Sequence, residues 1–188
     1  LGHDIGEHVE AAAVGHAIDD FRYAELAAKL DHGLQRGNYR FAAIQAEAIK
    51  VLALLKEDKV VEPRASYLRA SLASLRGDAK AAAADYNEAA SLIDAMPPSQ
   101  RSGSEALLLA GALSHRALGN LQKSREYLDT LLARNSRHYA AQVLMASVLL
   151  EAQEFHRAAP ILDNLMRLTP NEPQVLYMMG SALMARKQ

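Results

Sequence analysis

The sequence has no cysteine and no tryptophan, and only 5% of its 188 residues are aromatic. Missing thiols exclude disulfides, thiol nucleophiles and cysteine-ligated zinc together. Scarce aromatic and β-branched residues argue against a β-sandwich, whose facing sheets are filled by such side chains. There is no basic excess: 21 Lys and Arg stand against 22 Asp and Glu, a formal net charge of −1. Nucleic-acid binding draws most of its affinity from phosphate neutralisation, so no nucleic-acid partner is expected. No apolar run approaches the ~18 residues that suggest a membrane-spanning helix. The longest, such as Ala106-Leu107-Leu108-Leu109-Ala110, read as parts of amphipathic or buried helices. An export signal is also missing. The chain starts at Leu1, so the expectation is a fragment whose targeting sequence lies outside it.

What remains is alanine and leucine, the main part of a hydrophobic fraction of 50%. Alanine has the best helix propensity and lets helix backbones approach closely. The expected fold is all-α.

A turn of the type Gly-polar-X recurs between apolar stretches, at Gly37-Asn38-Tyr39, Gly77-Asp78-Ala79 and Gly119-Asn120-Leu121, with a degenerate copy at Gln153-Glu154-Phe155. From position 37 to 77 is 40 residues, from 77 to 119 is 42, and from 119 to 153 is 34. The last is the tetratricopeptide period. The longer two carry extra polar, proline-containing residues at Lys56–Pro63 and Met96–Ser104, the latter read as flexible around Ser102-Gly103-Ser104. Glycine closes the first helix in a left-handed conformation. The Asn or Asp after it can cap the second. Small residues follow at Ala42, Ala82, Ser124 and Ala158. Ala46, Tyr86, Leu128 and Leu162 come four residues later, then Ile49, Ala89, Leu131 and Leu165 after three more. That i, i+4, i+7 row is one helix face, and a small first member permits a close crossing. Pro160 falls early enough in its helix not to break it.

These residues resemble the tetratricopeptide repeat family. The stretch 139–172 fits best, with Met145-Ala146 and Ala158 at the two crossing points and Pro170 ending the unit. The resemblance implies a right-handed α-solenoid of antiparallel hairpins at about 23–57, 64–98, 105–138 and 139–172, then a half repeat at 173–188 with Gly180 at the close-contact position. Residues 1–22 form a preceding helix, with Asp4 and Glu7 at capping-box spacing, expected to be the second helix of a truncated repeat. Solenoid ends normally carry polar caps. Neither end here does, so a longer array and self-association through uncapped ends are expected.

Tyr67-Leu68-Arg69-Ala70, Leu107-Leu108-Leu109-Ala110-Gly111-Ala112 and Tyr127-Leu128 … Leu131-Leu132-Ala133 are similar to tetratricopeptide lipoproteins of exosortase/PEP-CTERM exopolysaccharide systems. That resemblance implies a periplasmic or outer-membrane-associated protein in a secretion or biosynthesis assembly. A cytoplasmic location is the alternative.

Catalytic patterns are thin. His3, His8 and His16, with Glu7 beside them, suggest a helical metal site. However, His8 and His16 are ~12 Å apart along a helix, too far to share an ion unaided. His32, His115, His138 and His156 are scattered, and no Gly-x-Ser-x-Gly elbow or phosphate-binding loop occurs. Asp19-Asp20 and Glu57-Asp58 fall where capping explains them. No catalytic residue, metal or cofactor is expected.

The functional surface is instead the groove that the family builds from its first helices. Its groove-facing positions fall on Arg64, Tyr67, Ser71 and Ser74; on His115 or Arg116, where the register is one residue ambiguous; and on Val143, Ser147, Glu151, Tyr177, Ser181 and Met184. Tyr67 and Tyr177 could either bind there or pack between repeats. The family's carboxylate clamp is missing, since Tyr67/Ser71/Leu75 and Val143/Ser147/Glu151 stand in its places. So is the asparagine ladder of sugar-transferase superhelices, where Ala28, Leu144 and Met178 stand. The expected function is a non-catalytic scaffold for a protein or peptide partner in an envelope assembly. The alternatives are a cytosolic peptide-binding regulator or co-chaperone and, more remotely, a metal-dependent enzyme using the leading histidines.

Overall fold

A computed structural model describes residues 63–185, within the compact unit Val61–Gln188. The expected helix at 4–19, the first hairpin with its turn at Gly37 and its row Ala42, Ala46 and Ile49, and His3, His8, His16 and His32 lie outside the described residues.

The described residues form eight α-helices and no strand. They are α1 Pro63–Leu75, α2 Ala79–Ala95, α3 Pro98–Gly103, α4 Glu105–Ala117, α5 Leu121–Arg134, α6 Tyr139–Glu151, α7 Phe155–Leu168 and α8 Pro173–Ala185. Proline opens α1, α3 and α8, where the lost amide hydrogen has no intrahelical partner anyway. Helices α1/α2, α4/α5 and α6/α7 pair as hairpins, and each second helix packs on the next first helix (α2 on α4, α5 on α6, α7 on α8). First helices also meet along one side, α1 to α4, α4 to α6 and α6 to α8. The architecture is an all-α solenoid.

The three hairpin turns share one hydrogen-bond pattern. Asp78 N–H donates to Ala73 C=O at 3.0 Å, Asn120 to His115 at 2.8 Å and Glu154 to Leu149 at 2.8 Å. The preceding residue donates three back: Gly77 to Ser74 at 3.0 Å, Gly119 to Arg116 at 2.9 Å and Gln153 to Leu150 at 3.0 Å. This Schellman arrangement requires a left-handed residue. Gly77 (φ 77°), Gly119 (φ 78°) and Gln153 (φ 61°) supply it. Capping by the next residue is uneven. Asp78 accepts from Ala81 N–H at 3.0 Å, whereas Asn120 and Glu154 make no side-chain cap.

The close crossings fall on the small residues. Ala82, Ser124 and Ala158 are buried, followed by buried Leu128 and Leu162, then Ala89, Leu131 and Leu165. Ser124 Oγ donates to Ala112 C=O at 2.7 Å and so ties α5 to α4. Gly111 permits the same approach, because a Cβ there would lie 3.1 Å from the Tyr127 ring. Gly180 has no such neighbour: a Cβ on it would meet nothing within 4 Å. The helix runs through Pro160 unbroken, with Pro160 exposed.

Residues 96–104 are more ordered than their composition implied. Pro98–Gly103 forms a short helix, and Ser104 caps α4, its Oγ accepting from Leu107 N–H at 3.3 Å. Ser, Pro and Gly serve here as helix punctuation rather than as a flexible tether. Pro63 likewise belongs to α1, not to a linker.

Candidate binding groove

The side built from first helices carries a cavity of about 240 Å³ lined by Tyr67 of α1, Tyr86 of α2, Leu113, Arg116 and Ala117 of α4, and Glu151 of α6. The rings of Tyr67 and Tyr86 stand 6.1 Å apart at 50°, one aromatic wall. Opposite, Arg116 bridges two hairpins: its Nε lies 2.8 Å and its Nη2 2.5 Å from Glu151 Oε1. Ser147 Oγ approaches the same oxygen at 3.5 Å. Tyr67, Arg116, Ser147 and Glu151, nominated separately from the sequence, therefore meet on one surface. Tyr67 is half-buried: its ring packs on Tyr86 of the same hairpin, and it lines the cavity.

The other nominated residues do not line that cavity. Ser71 Oγ donates to Tyr67 C=O and Ser181 Oγ to Tyr177 C=O, each at 3.0 Å, which uses the hydroxyl protons within their own helices. Ser74 is exposed and Arg64 half-buried at opposite ends of α1. Tyr177 (77% exposed) and Met184 (68%) lie on α8 beside exposed Leu176 and Leu183. Val143 belongs to the hydrophobic core. His115 is 5% exposed, on the inner side of α4. The register ambiguity thus resolves to Arg116, because one step along a helix rotates a side chain by about 100°.

His115 belongs to a second cluster that the repeat pattern did not reveal. Its Nε2 lies 3.3 Å from Asp94 Oδ2, and its ring stacks on Tyr127 with centroids 5.6 Å apart at 19°. Tyr127 Oη donates to Asp94 Oδ1 at 2.5 Å and accepts from Arg101 Nη1 at 3.0 Å. Arg101 also lies 5.8 Å over the Tyr127 ring and 3.8 Å from Asp94 Oδ1. Helices α2, α3, α4 and α5 each contribute one member. His115 Nδ1, on the other side of the ring, is buried without a hydrogen-bond partner among the described residues. Burial pushes Tyr127 up, and its bond to Asp94 adds to that, to about 12. Burial also acts upward on Asp94, but the Tyr127 hydrogen bond and the proximity of His115 outweigh it, so its carboxyl sits below the ordinary range. Two sequence signals mark this knot: the extra residues that carry Arg101, and Gly111, which makes room for Tyr127.

Among the described residues no group of three or more His, Asp or Glu could hold a metal ion, and no helix is long and apolar enough to cross a membrane.

Residues 109–173, running from α4 to the first residue of α8, match the family model described as tetratricopeptide repeat. Among solved structures, a tetratricopeptide repeat protein from Parabacteroides merdae is similar at 19% identity. The match covers 96% of this chain and 68% of that one with a TM-score of 0.49. No curated protein matches.

Proposed function

We propose that this protein is a non-catalytic scaffold that holds an extended segment of a partner protein along the face of its first helices. One observation carries the reading: Tyr67, Arg116 and Glu151, from three successive first helices, line a single cavity. Such a site mixes aromatic area with polar reach, the combination enriched where proteins recognise one another. Stacked hairpins commonly present extended recognition surfaces of this kind. The clusters described here are explained by packing and hydrogen bonding, which favours binding over catalysis.

The setting we propose is a bacterial envelope assembly connected with exopolysaccharide secretion, with a periplasmic or outer-membrane-associated location. It is supported by the likeness of Tyr67-Leu68-Arg69-Ala70 and the neighbouring strings to the lipoproteins of those systems. Self-association through α8 is a second proposed contact, motivated by exposed Leu176, Tyr177, Leu183 and Met184.

Affinity capture followed by hydrogen exchange tests the binding role. A captured partner should slow exchange in α1, α4 and α6 around Tyr67, Arg116 and Glu151. Protection confined to the second helices α2, α5 and α7 would refute the groove. Fractionation of the full-length protein tests the setting, and purely cytosolic recovery would end it.

A further inference from the structure

The geometry points to the Arg116–Glu151 pair as a main-chain clamp for an extended, locally uncharged peptide that inserts one apolar side chain between Tyr67 and Leu113. This deepens, and rests on, the reading of this face as the binding groove. All three polar contacts at the pair converge on one atom: Arg116 Nε and Nη2 and Ser147 Oγ all approach Glu151 Oε1. Among the described residues, nothing hydrogen-bonds to Glu151 Oε2 or to Arg116 Nη1. Both side chains stay accessible, at 35% and 40% exposed. The pair therefore presents a neutral edge with one unused carboxylate oxygen, Oε2, and one unused guanidinium nitrogen, Nη1, which carries two N–H donors.

An extended backbone offers the complement. In a β-strand the N–H and C=O of one residue point to the same side, roughly perpendicular to the side chains. Such a residue can donate its N–H to Oε2 and accept from Nη1 without disturbing the ion pair. Side chains on one face of the segment then meet the cavity, whose walls are the Tyr67 and Tyr86 rings and whose remaining lining is Leu113, Ala117 and the Arg116–Glu151 pair itself. Charge decides what that side chain is. An acidic ligand group at Nη1 would lie beside the Glu151 carboxylate, and a basic one at Oε2 beside the Arg116 guanidinium. Each meets a like charge and adds a net charge that the neutral pair does not balance. An apolar group incurs neither cost and buries surface against two aromatic rings.

The test uses the whole protein with ¹³C-labelled leucine methyls and blocked dodecapeptides of Gly and Ser carrying one central Leu, Phe, Lys or Glu. Titration should move the Leu113 methyl signals with the Leu and Phe peptides, and the Lys and Glu peptides should bind at least about tenfold more weakly. N-methylating the peptide nitrogen that faces the pair should cost about tenfold, the scale of one hydrogen bond to a charged group. Glu151→Gln turns the spare acceptor into a donor. It should cost a similar factor for the parent peptide and nothing further for the N-methylated one. Preference for Lys or Glu peptides, or indifference to N-methylation, would overturn the clamp while leaving the groove in place. Peptides that move only signals remote from Leu113, or none, would overturn the clamp, and captured partners protecting only second helices would separately remove the groove.

Discussion

Arg116 and His115 are adjacent in sequence and have opposite fates. Arg116 lies on an accessible face and reaches the next hairpin, where it and Glu151 are both more than a third exposed. His115 turns inward and joins Asp94 and Tyr127, with 5% of its surface left. The polar groups around Arg116 leave one carboxylate oxygen and one guanidinium nitrogen unused. Those around His115 hold their partners closely, and the spare Nδ1 is shut away from solvent. The first arrangement suits a visitor; the second suits a joint between helices. Polar clusters of similar composition can thus differ in role according to whether their unsatisfied groups face outward or inward.

The contrast can be broken by substitution. The largest effect belongs to neither cluster but to the crossings that orient them. Ala158→Leu should destabilise by about 1–3 kcal/mol, because a close-packed crossing cannot absorb the added volume, and an unchanged denaturation midpoint would mean that the crossing lies elsewhere. Next, Tyr127→Phe removes a donor to Asp94 and an acceptor for Arg101, and should cost about 1–2 kcal/mol. Chemical denaturation would detect it, and a neutral result would reduce the knot to ring stacking alone. Acid and alkali sharpen the same point. The lowered Asp94 carboxyl contributes stability above its ordinary range, which is lost as pH falls through its folded value. Tyr127, raised from 10.0 to about 12, makes stability decline as pH rises between those values, since the unfolded chain ionises first. Denaturation midpoints for Tyr127→Phe should decline less than the parent's over the alkaline window. Smallest of all, Arg116→Ala should change stability by less than about 1 kcal/mol, as exposed ion pairs contribute little, while partner capture falls. A large loss of stability would place Arg116 with the structural cluster.

Much of the solenoid was legible beforehand, for a physical reason. A hairpin needs a left-handed residue at its turn and small side chains at its crossing, and few residue types meet either demand. Gly77, Gly119, Ala82, Ser124 and Ala158 announce both. The degenerate Gln153 turn is legible only through its spacing and the helix row after it. Of the residues that the repeat pattern singles out, Tyr67, Arg116 and Glu151 line one cavity, with Ser147 beside Glu151, while Val143 and His115 are buried. Gly111 lies eight residues before Gly119, not the seven of the motif, so the register of α4 stayed open until its packing was known. Apart from Gly111 and the extra residues around Arg101, the knot is not legible, because its members come from four helices, one of them built from residues whose Pro, Ser and Gly content resembles a loop. Asn120 shows the opposite limit, occupying a capping position without making the bond.

Gln153 holds the backbone angle that glycine supplies at the two earlier junctions. A side chain there costs on the order of 1 kcal/mol against local sterics, yet the same pair of hydrogen bonds closes the bend. The joint between α6 and α7 is therefore held by the packing of its helices against a small opposing torque. Gln153→Gly would release that torque and leave the path of the chain intact, while giving the unfolded chain more freedom to lose on folding.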